Sequence, residues 1–185
     1  MHEDSKMQEA EYFLQRIAKA ANDPNATRFE LSAFLSAARS VLQYALEEAK
    51  GKQGGQTWYD NAVGVEPIVK FLKDRRDVNI HQQPVPMQTN TTIEVGAAVL
   101  RMSGTVSAVL INGATGLGGE PIELDAALPP RIPPLPAIDE PPKTSYTYVF
   151  KDWGGPEGVI ALCTRYLAEI RRIVAEGQAR GFLTQ

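Results

Sequence analysis

The sequence predicts a mainly α protein, a four-helix up-and-down bundle with a small β-strand insertion between helices 3 and 4. Three amphipathic stretches with the helical period precede residue 81, and another follows residue 154. Between them, from Thr91, the pattern changes to one that is typical of strands. A chain of 185 residues can bury its own core. We therefore expect one domain over residues 1–185, with a β-rich and proline-rich insertion at residues 88–152.

The first two predicted helices cover residues 8–21 and 27–50. Thr27 and Glu30 have the spacing of a capping box, which predicts that the second helix begins at Thr27. Gly51 follows where a C-cap is expected. The apolar positions that recur at helical spacing, and so predict the buried faces, are Ala10, Phe13, Ile17 and Ala20 in the first helix and Phe34, Ala37, Ala38, Val41, Ala45 and Leu46 in the second.

The third predicted helix opens with another capping pair, Thr57 and Asp60, and reaches Arg76. Pro67 lies inside this stretch. A proline in a helix removes one hydrogen bond and clashes with the preceding turn. We therefore expect a kink or a restart between Gly64 and Pro67.

The fourth predicted helix starts at residues 154–157, with proline at the favoured first position, and ends near Gly177 or Gly181. Cys163, the single cysteine, falls on its apolar face, which favours a buried core thiol over a nucleophile. The residues that form this face are Val159, Leu162, Cys163, Tyr166, Leu167, Ile170, Ile173 and Val174.

Three segments of the insertion are predicted to be strands: TTIEVGAAVLRM, TVSAVLI and SYTYVF. The stretch NGATGLGGE superficially resembles a phosphate-binding loop, but no Lys-Ser or Lys-Thr follows it, so we interpret it as a turn. Residues 125–143 are rich in proline and predict an extended connection. Their PxxP spacing would suit an aromatic groove, although such segments are more often spacers.

Composition excludes several classes of function. The net charge of −3 argues against a protein that coats nucleic acid through a broad basic surface. One cysteine and two histidines, His2 and His81, cannot form the usual zinc site, so we expect no metal and no cofactor. No apolar stretch is long enough for a bilayer and the N-terminus lacks the pattern of a signal peptide, so we expect a cytoplasmic protein without a membrane partner.

The segment DRRDVNIHQ is the strongest candidate for a functional site. Arg76 precedes His81 with four residues between them, at the end of the third predicted helix. Lys70, Lys73 and Arg75 add a basic cluster to an otherwise acidic chain. An alternative is that Arg76 and His81 only cap the helix C-terminus, where the helix dipole favours cations.

This segment resembles the motif of the HEPN superfamily, whose members are small helical bundles marked by Arg, a polar residue, three further residues and His. Here the motif is Arg76, Asp77, Val78-Asn79-Ile80 and His81. The preceding helix, FELSAFLSAARSVLQYALEE, is also similar to the corresponding helix of bacterial members. The resemblance covers residues 8–83 and, more loosely, residues 156–180, but not the β insertion.

The resemblance implies a metal-independent endoribonuclease that acts as a homodimer on RNA, in a toxin–antitoxin or defence system with an antitoxin or another protein as partner. It also implies the roles of the side chains. The guanidinium of Arg76 would hold the scissile phosphate, His81 would move protons, and Asp77, Asn79 and Arg75 would support them.

Members of the family differ in activity, so other readings stay open. Toxins that are paired with nucleotidyltransferase antitoxins often carry tyrosine two residues after the histidine. This chain has Gln83 there, so the resemblance does not imply regulation by nucleotidylation. Other members keep the fold without cutting RNA, and a non-catalytic binding or assembly module is the main alternative. A small-ligand binder that uses the bundle interior is a third.

Overall fold

The computed structural model describes residues 2–81, 87–95, 98–103 and 142–184, and for residues 2, 76–81, 95, 98–100 and 103 it describes the backbone alone. Over these ranges the chain is mainly helical with a small antiparallel sheet, as the sequence predicted. The helices are α1 (His2–Lys19), α2 (Pro24–Lys50), α3 (Gly55–Gly64), α4 (Pro67–His81) and α5 (Val159–Ala179). The strands are β1 (Gln88–Val95), β2 (Ala98–Ser103) and β3 (Lys143–Val149).

The predicted break at Pro67 is confirmed, because α3 ends at Gly64 and α4 begins at Pro67. Both predicted capping pairs are wrong. The N-cap of α2 is Asp23, whose side chain accepts from the backbone N–H groups of Asn25 and Ala26, and α3 begins after Gly54 without a side-chain cap. Thr27 is instead fully buried and donates its hydroxyl to the carbonyl of Ala20 at 2.8 Å.

The helix that follows β3 begins later than predicted. Its N-cap is Gly158 and its first residue is Val159, so Pro156 lies in the preceding turn and not at the first helical position. The predicted end is close to the observed one, since Arg180 is the C-cap and Gly181 has a φ of 74°. A positive φ here lets the backbone N–H groups of Phe182 and Leu183 bond back to Gly177.

The core lies between the helices. All eight predicted apolar positions of α5 are buried, and the predicted stripe of α2 is buried except for Leu46, which is partly buried. α1 packs along α2, while α5 packs against α1, α2 and α4. Ala10 and Ile17 are the predicted α1 positions that reach full burial, whereas Phe13 only borders the core.

The sheet has the strand order β2-β1-β3, with both pairs antiparallel. Thr91 lies opposite Met102 of β2 and Tyr146 of β3, so these three residues share one register row. The sheet is fixed to the helices by Tyr148, which is 4% exposed and donates its hydroxyl to the carbonyl of Ala21 at 2.8 Å. The predicted strand TVSAVLI, the glycine-rich turn and most of the proline-rich segment lie outside the described residues.

Candidate functional site

The predicted motif lies at the C-terminal end of α4. Arg76, Asp77 and Asn79 lie within the helix, and His81 is its final residue. The helix therefore extends five residues beyond Arg76, where the sequence predicted its end. Pro84 and Pro86 follow in the sequence, and neither favours continuing a helix. The side chains of residues 76–81, and the whole of Gln83, lie outside the described part of the structure.

The helical backbone sets the spacing of the two principal residues. Five positions along an α-helix correspond to a rise of about 7.5 Å and a rotation of roughly 140°, which separates the Cα atoms of Arg76 and His81 by roughly 9 Å. The two positions therefore do not share a helix face. Asp77 and His81, four positions apart, do share one.

Arg75 is held by contacts to other parts of the chain. Its guanidinium forms an ion pair with Asp152, in the turn after β3, and lies over the ring of Phe71 at 4.9 Å from the centroid. Its side chain is only 18% exposed. The charge of Arg75 therefore joins α4 to the turn after β3.

Aromatic side chains hold the motif helix at the same place. The ring of Phe71 contacts Phe150 and Trp153, with centroids 5.5 and 5.0 Å away. Trp153 in turn donates its indole N–H to Glu157 at 2.8 Å. This hydrogen bond lowers the pKa of the Glu157 carboxyl, with a smaller contribution from the nearby charge of Arg165. The segment between β3 and α5 thus packs against α4 one to two turns before the motif.

These contacts reduce the positive charge of the basic cluster that was predicted beside the motif. Lys70 is exposed and Lys73 is half-buried, but Arg75 is paired and the exposed Asp74 lies between them in sequence. α4 also buries Ile68, Val69 and Leu72 in the core. The described part of α4 is therefore an amphipathic helix with a mixed outer face.

Cys163 is a core residue, as predicted. Its side chain is fully buried and free of any disulfide, and burial raises the pKa of the thiol well above its ordinary value. A thiolate is the nucleophilic form of cysteine, so this environment suppresses its reactivity.

A cleft that the sequence did not predict lies between the N-terminal turn of α2 and one face of the sheet. Its volume is about 660 Å³. Arg28 of α2 and Lys151, after β3, line its walls, and Thr91, Met102 and Tyr146 line its floor. The alternation of Thr89, Thr91 and Ile93 along β1 could have indicated a shared strand face, but nothing in the sequence brings residues 24–28 over it.

Among the described residues no group of three or more His, Cys, Asp or Glu side chains could hold a metal ion. None of the helices in these ranges has the length and apolar character needed to cross a bilayer. Comparisons with protein-family models, with curated proteins and with solved structures give no match.

Proposed function

We propose that the chain is a HEPN-like, metal-independent endoribonuclease that acts as a cytoplasmic homodimer in a toxin or defence system. One observation carries the proposal: α4 ends at His81, and Arg76 lies five positions earlier in the same helix. In this proposal α1, α2, the broken helix α3–α4, and α5 are the four arms of the bundle. The contacts of Phe71 and Arg75 would keep the motif helix in place within it.

The chemistry of these two residue types suits RNA cleavage. A guanidinium stays charged and offers a fork of N–H donors, so Arg76 would bind the scissile phosphate and stabilise the charge that develops on it. Histidine titrates near neutrality and would transfer protons. Attack of the 2′-oxygen on phosphorus breaks the bond to the 5′-oxygen and leaves a 2′,3′-cyclic phosphate. Asp77 and Asn79 would orient the two reacting side chains.

A dimer would supply both proton transfers. One His81 would accept the proton of the 2′-hydroxyl, and the partner's His81 would give a proton to the departing 5′-oxygen. The roughly 140° rotation between positions 76 and 81 on one helix is compatible with residues from two copies meeting at one phosphate. The resemblance to HEPN proteins implies the same paired arrangement.

The test is cleavage of total RNA and tRNA in the presence of EDTA. The wild-type chain should cleave, and His81→Ala should be slower by about 10²–10⁴-fold because general acid–base catalysis is lost. His2→Ala is the matched control, since it removes the other histidine, in the first turn of α1, and should leave the rate unchanged. Intact RNA with the wild-type dimer, or equal rates for wild type and His81→Ala, would refute the proposal.

A non-catalytic binding or assembly module is the second candidate, and the charge distribution favours it. The net charge is −3, and several surface arginines are already paired, including Arg16 with Glu30 at 2.6 Å and Arg172 with Glu169 at 2.8 Å. Paired cations attract RNA phosphates weakly. This candidate predicts a folded dimer that neither cleaves nor retains RNA at physiological salt.

A further inference from the structure

The cleft between α2 and the sheet has a positive lining in an acidic protein. Of the described residues that line it, Arg28 and Lys151 are charged and none is an Asp or Glu. Both side chains are exposed, and they come from different parts of the chain: Arg28 from α2 and Lys151 from the turn after β3. Two cations that line one cleft suit a doubly charged group such as a phosphomonoester better than a single carboxylate.

The sheet residues on the floor of the cleft suit the uncharged part of a ligand, here called its body. Met102, Ile93 and the half-buried ring of Tyr146 offer apolar surface, and Tyr146 provides a flat ring for stacking. Thr91, which is 8% exposed, and Thr89 add hydroxyl groups that can bond polar edges of a ligand. A volume of about 660 Å³ lies within the range of roughly 300–1,000 Å³ that is typical of small-molecule sites.

The amides at the start of α2 do not supply the anion site. The N–H groups of Asn25 and Ala26 are bonded to the carboxylate of Asp23 at 2.9 and 3.0 Å, and Pro24 has no N–H. The anion must therefore be held by side chains. This makes Arg28 and Lys151 the residues to test.

We propose that this cleft binds a small phosphomonoester with a flat, partly apolar body. Its phosphate would bind Arg28 and Lys151, and its body would lie on Tyr146 and Met102. Such a group can come from a free metabolite or from the 5′-phosphorylated end of an RNA. The residues that carry this proposal are separate from Arg76 and His81, so it stands whether or not the chain cleaves RNA.

The experiment measures binding to the full-length His81→Ala protein, which removes any effect of cleavage. The probe is 1-naphthyl phosphate, and its fluorescence reports binding. Binding of 1-naphthol and of inorganic phosphate, which are the two halves of this probe, is measured separately for comparison. The intact probe should bind at least tenfold more tightly than either half. Arg28→Gln and Lys151→Gln should each weaken binding at least tenfold. Lys50→Gln, at the opposite end of α2, is the matched control and should bind as the parent does.

Two RNA arms distinguish the sources of the group. A tetranucleotide with a 5′-phosphate that competes with the probe, when its 5′-hydroxyl counterpart does not, would support the site and identify it as one for RNA ends. Competition by neither RNA, with the probe bound, would support a site for a free metabolite. Three results would overturn the proposal. They are equal competition by both RNAs, no binding of the probe at 10 mM, and probe binding that is unchanged in Arg28→Gln and Lys151→Gln.

Discussion

Glu48 shows how one side chain fixes the end of the described chain. Its carboxylate accepts hydrogen bonds from the backbone N–H of Thr184 at 2.6 Å and from Lys52 at 3.2 Å. Burial alone would raise the pKa of Glu48, but the hydrogen bonds from Lys52 and Thr184 outweigh it and lower the pKa. The ionised form therefore holds Thr184 against α2.

Glu48→Gln should lower the free energy of unfolding at pH 7 by about 1 kcal/mol, because the amide replaces a charged acceptor. A carboxyl whose pKa is lowered by folding stabilises the protein above its unfolded pKa, about 4.3, and loses this effect as the pH falls through the folded value. The difference in the free energy of unfolding between Glu48→Gln and wild type, measured by urea unfolding, should therefore shrink towards zero below about pH 4.

Glu47→Gln is the matched control for this measurement. Glu47 is 58% exposed and pairs with Lys50 at 3.2 Å on the helix surface. Exposed pairs of this kind contribute less than about 0.5 kcal/mol. A Glu48→Gln effect that is as small as the Glu47→Gln effect, or that persists unchanged at low pH, would contradict the role of Glu48.

At the scale of elements, the turn from α2 to α3 depends on the absence of one side chain. A Cβ built on Gly55 would lie 2.0 Å from the carbonyl oxygen of Ala49, which is a backbone atom of α2. The preceding Gly54 has a φ of 80°. The two helices can thus approach closely only with glycine at position 55.

Gly55→Ala should destabilise the protein by about 1–3 kcal/mol, because α3 must move away from α2. Gly64→Ala, at the other end of α3, meets no atom within 4 Å and should be neutral or stabilising by up to about 1 kcal/mol. Thermal unfolding of the two variants measures the contrast. Equal melting temperatures would show that the approach at Gly55 is not tight.

The sequence predicted elements better than their boundaries. Hydrophobic periodicity identified the buried face of α5, and Pro67 marked the break before α4. The start of α2 was missed because Asp23 competes with Thr27 for the cap, and burial of Thr27 against the carbonyl of Ala20 decides between them. Such burial depends on how α1 and α2 pack, and one stretch of sequence does not contain it.

The candidate site was predictable in position but not in its surroundings. Local helical spacing predicted that the motif lies at the end of this helix, and the observed end at His81 is five residues later than predicted. By contrast, Arg75 pairs with Asp152, which is 77 positions away in the chain, and Arg28 faces strands that follow it by 60 residues or more. Long-range neighbours of this kind are set by tertiary packing, so motif spacing could not reveal them.

At the scale of the whole molecule, the helices form most of the core, and the sheet lies near the N-terminal end of α2, where it forms one side of the cleft. The turn after β3 contacts both features: Lys151 lines the cleft, and the next residue, Asp152, pairs with Arg75 of α4. The motif helix and the cleft are therefore linked through two consecutive residues. In the proposed ribonuclease, RNA bound at the motif would pass close to this turn.

The most direct test of the proposed ribonuclease follows a defined RNA oligonucleotide in EDTA and identifies the product ends by mass spectrometry. Wild type and His2→Ala, which changes a residue in the first turn of α1 and leaves the motif intact, should both release 2′,3′-cyclic phosphate ends. Arg76→Ala should release these ends at least 100-fold more slowly. Cyclic phosphate ends released equally fast by Arg76→Ala, or no such ends from the wild type, would contradict the assignment of this motif as the active site.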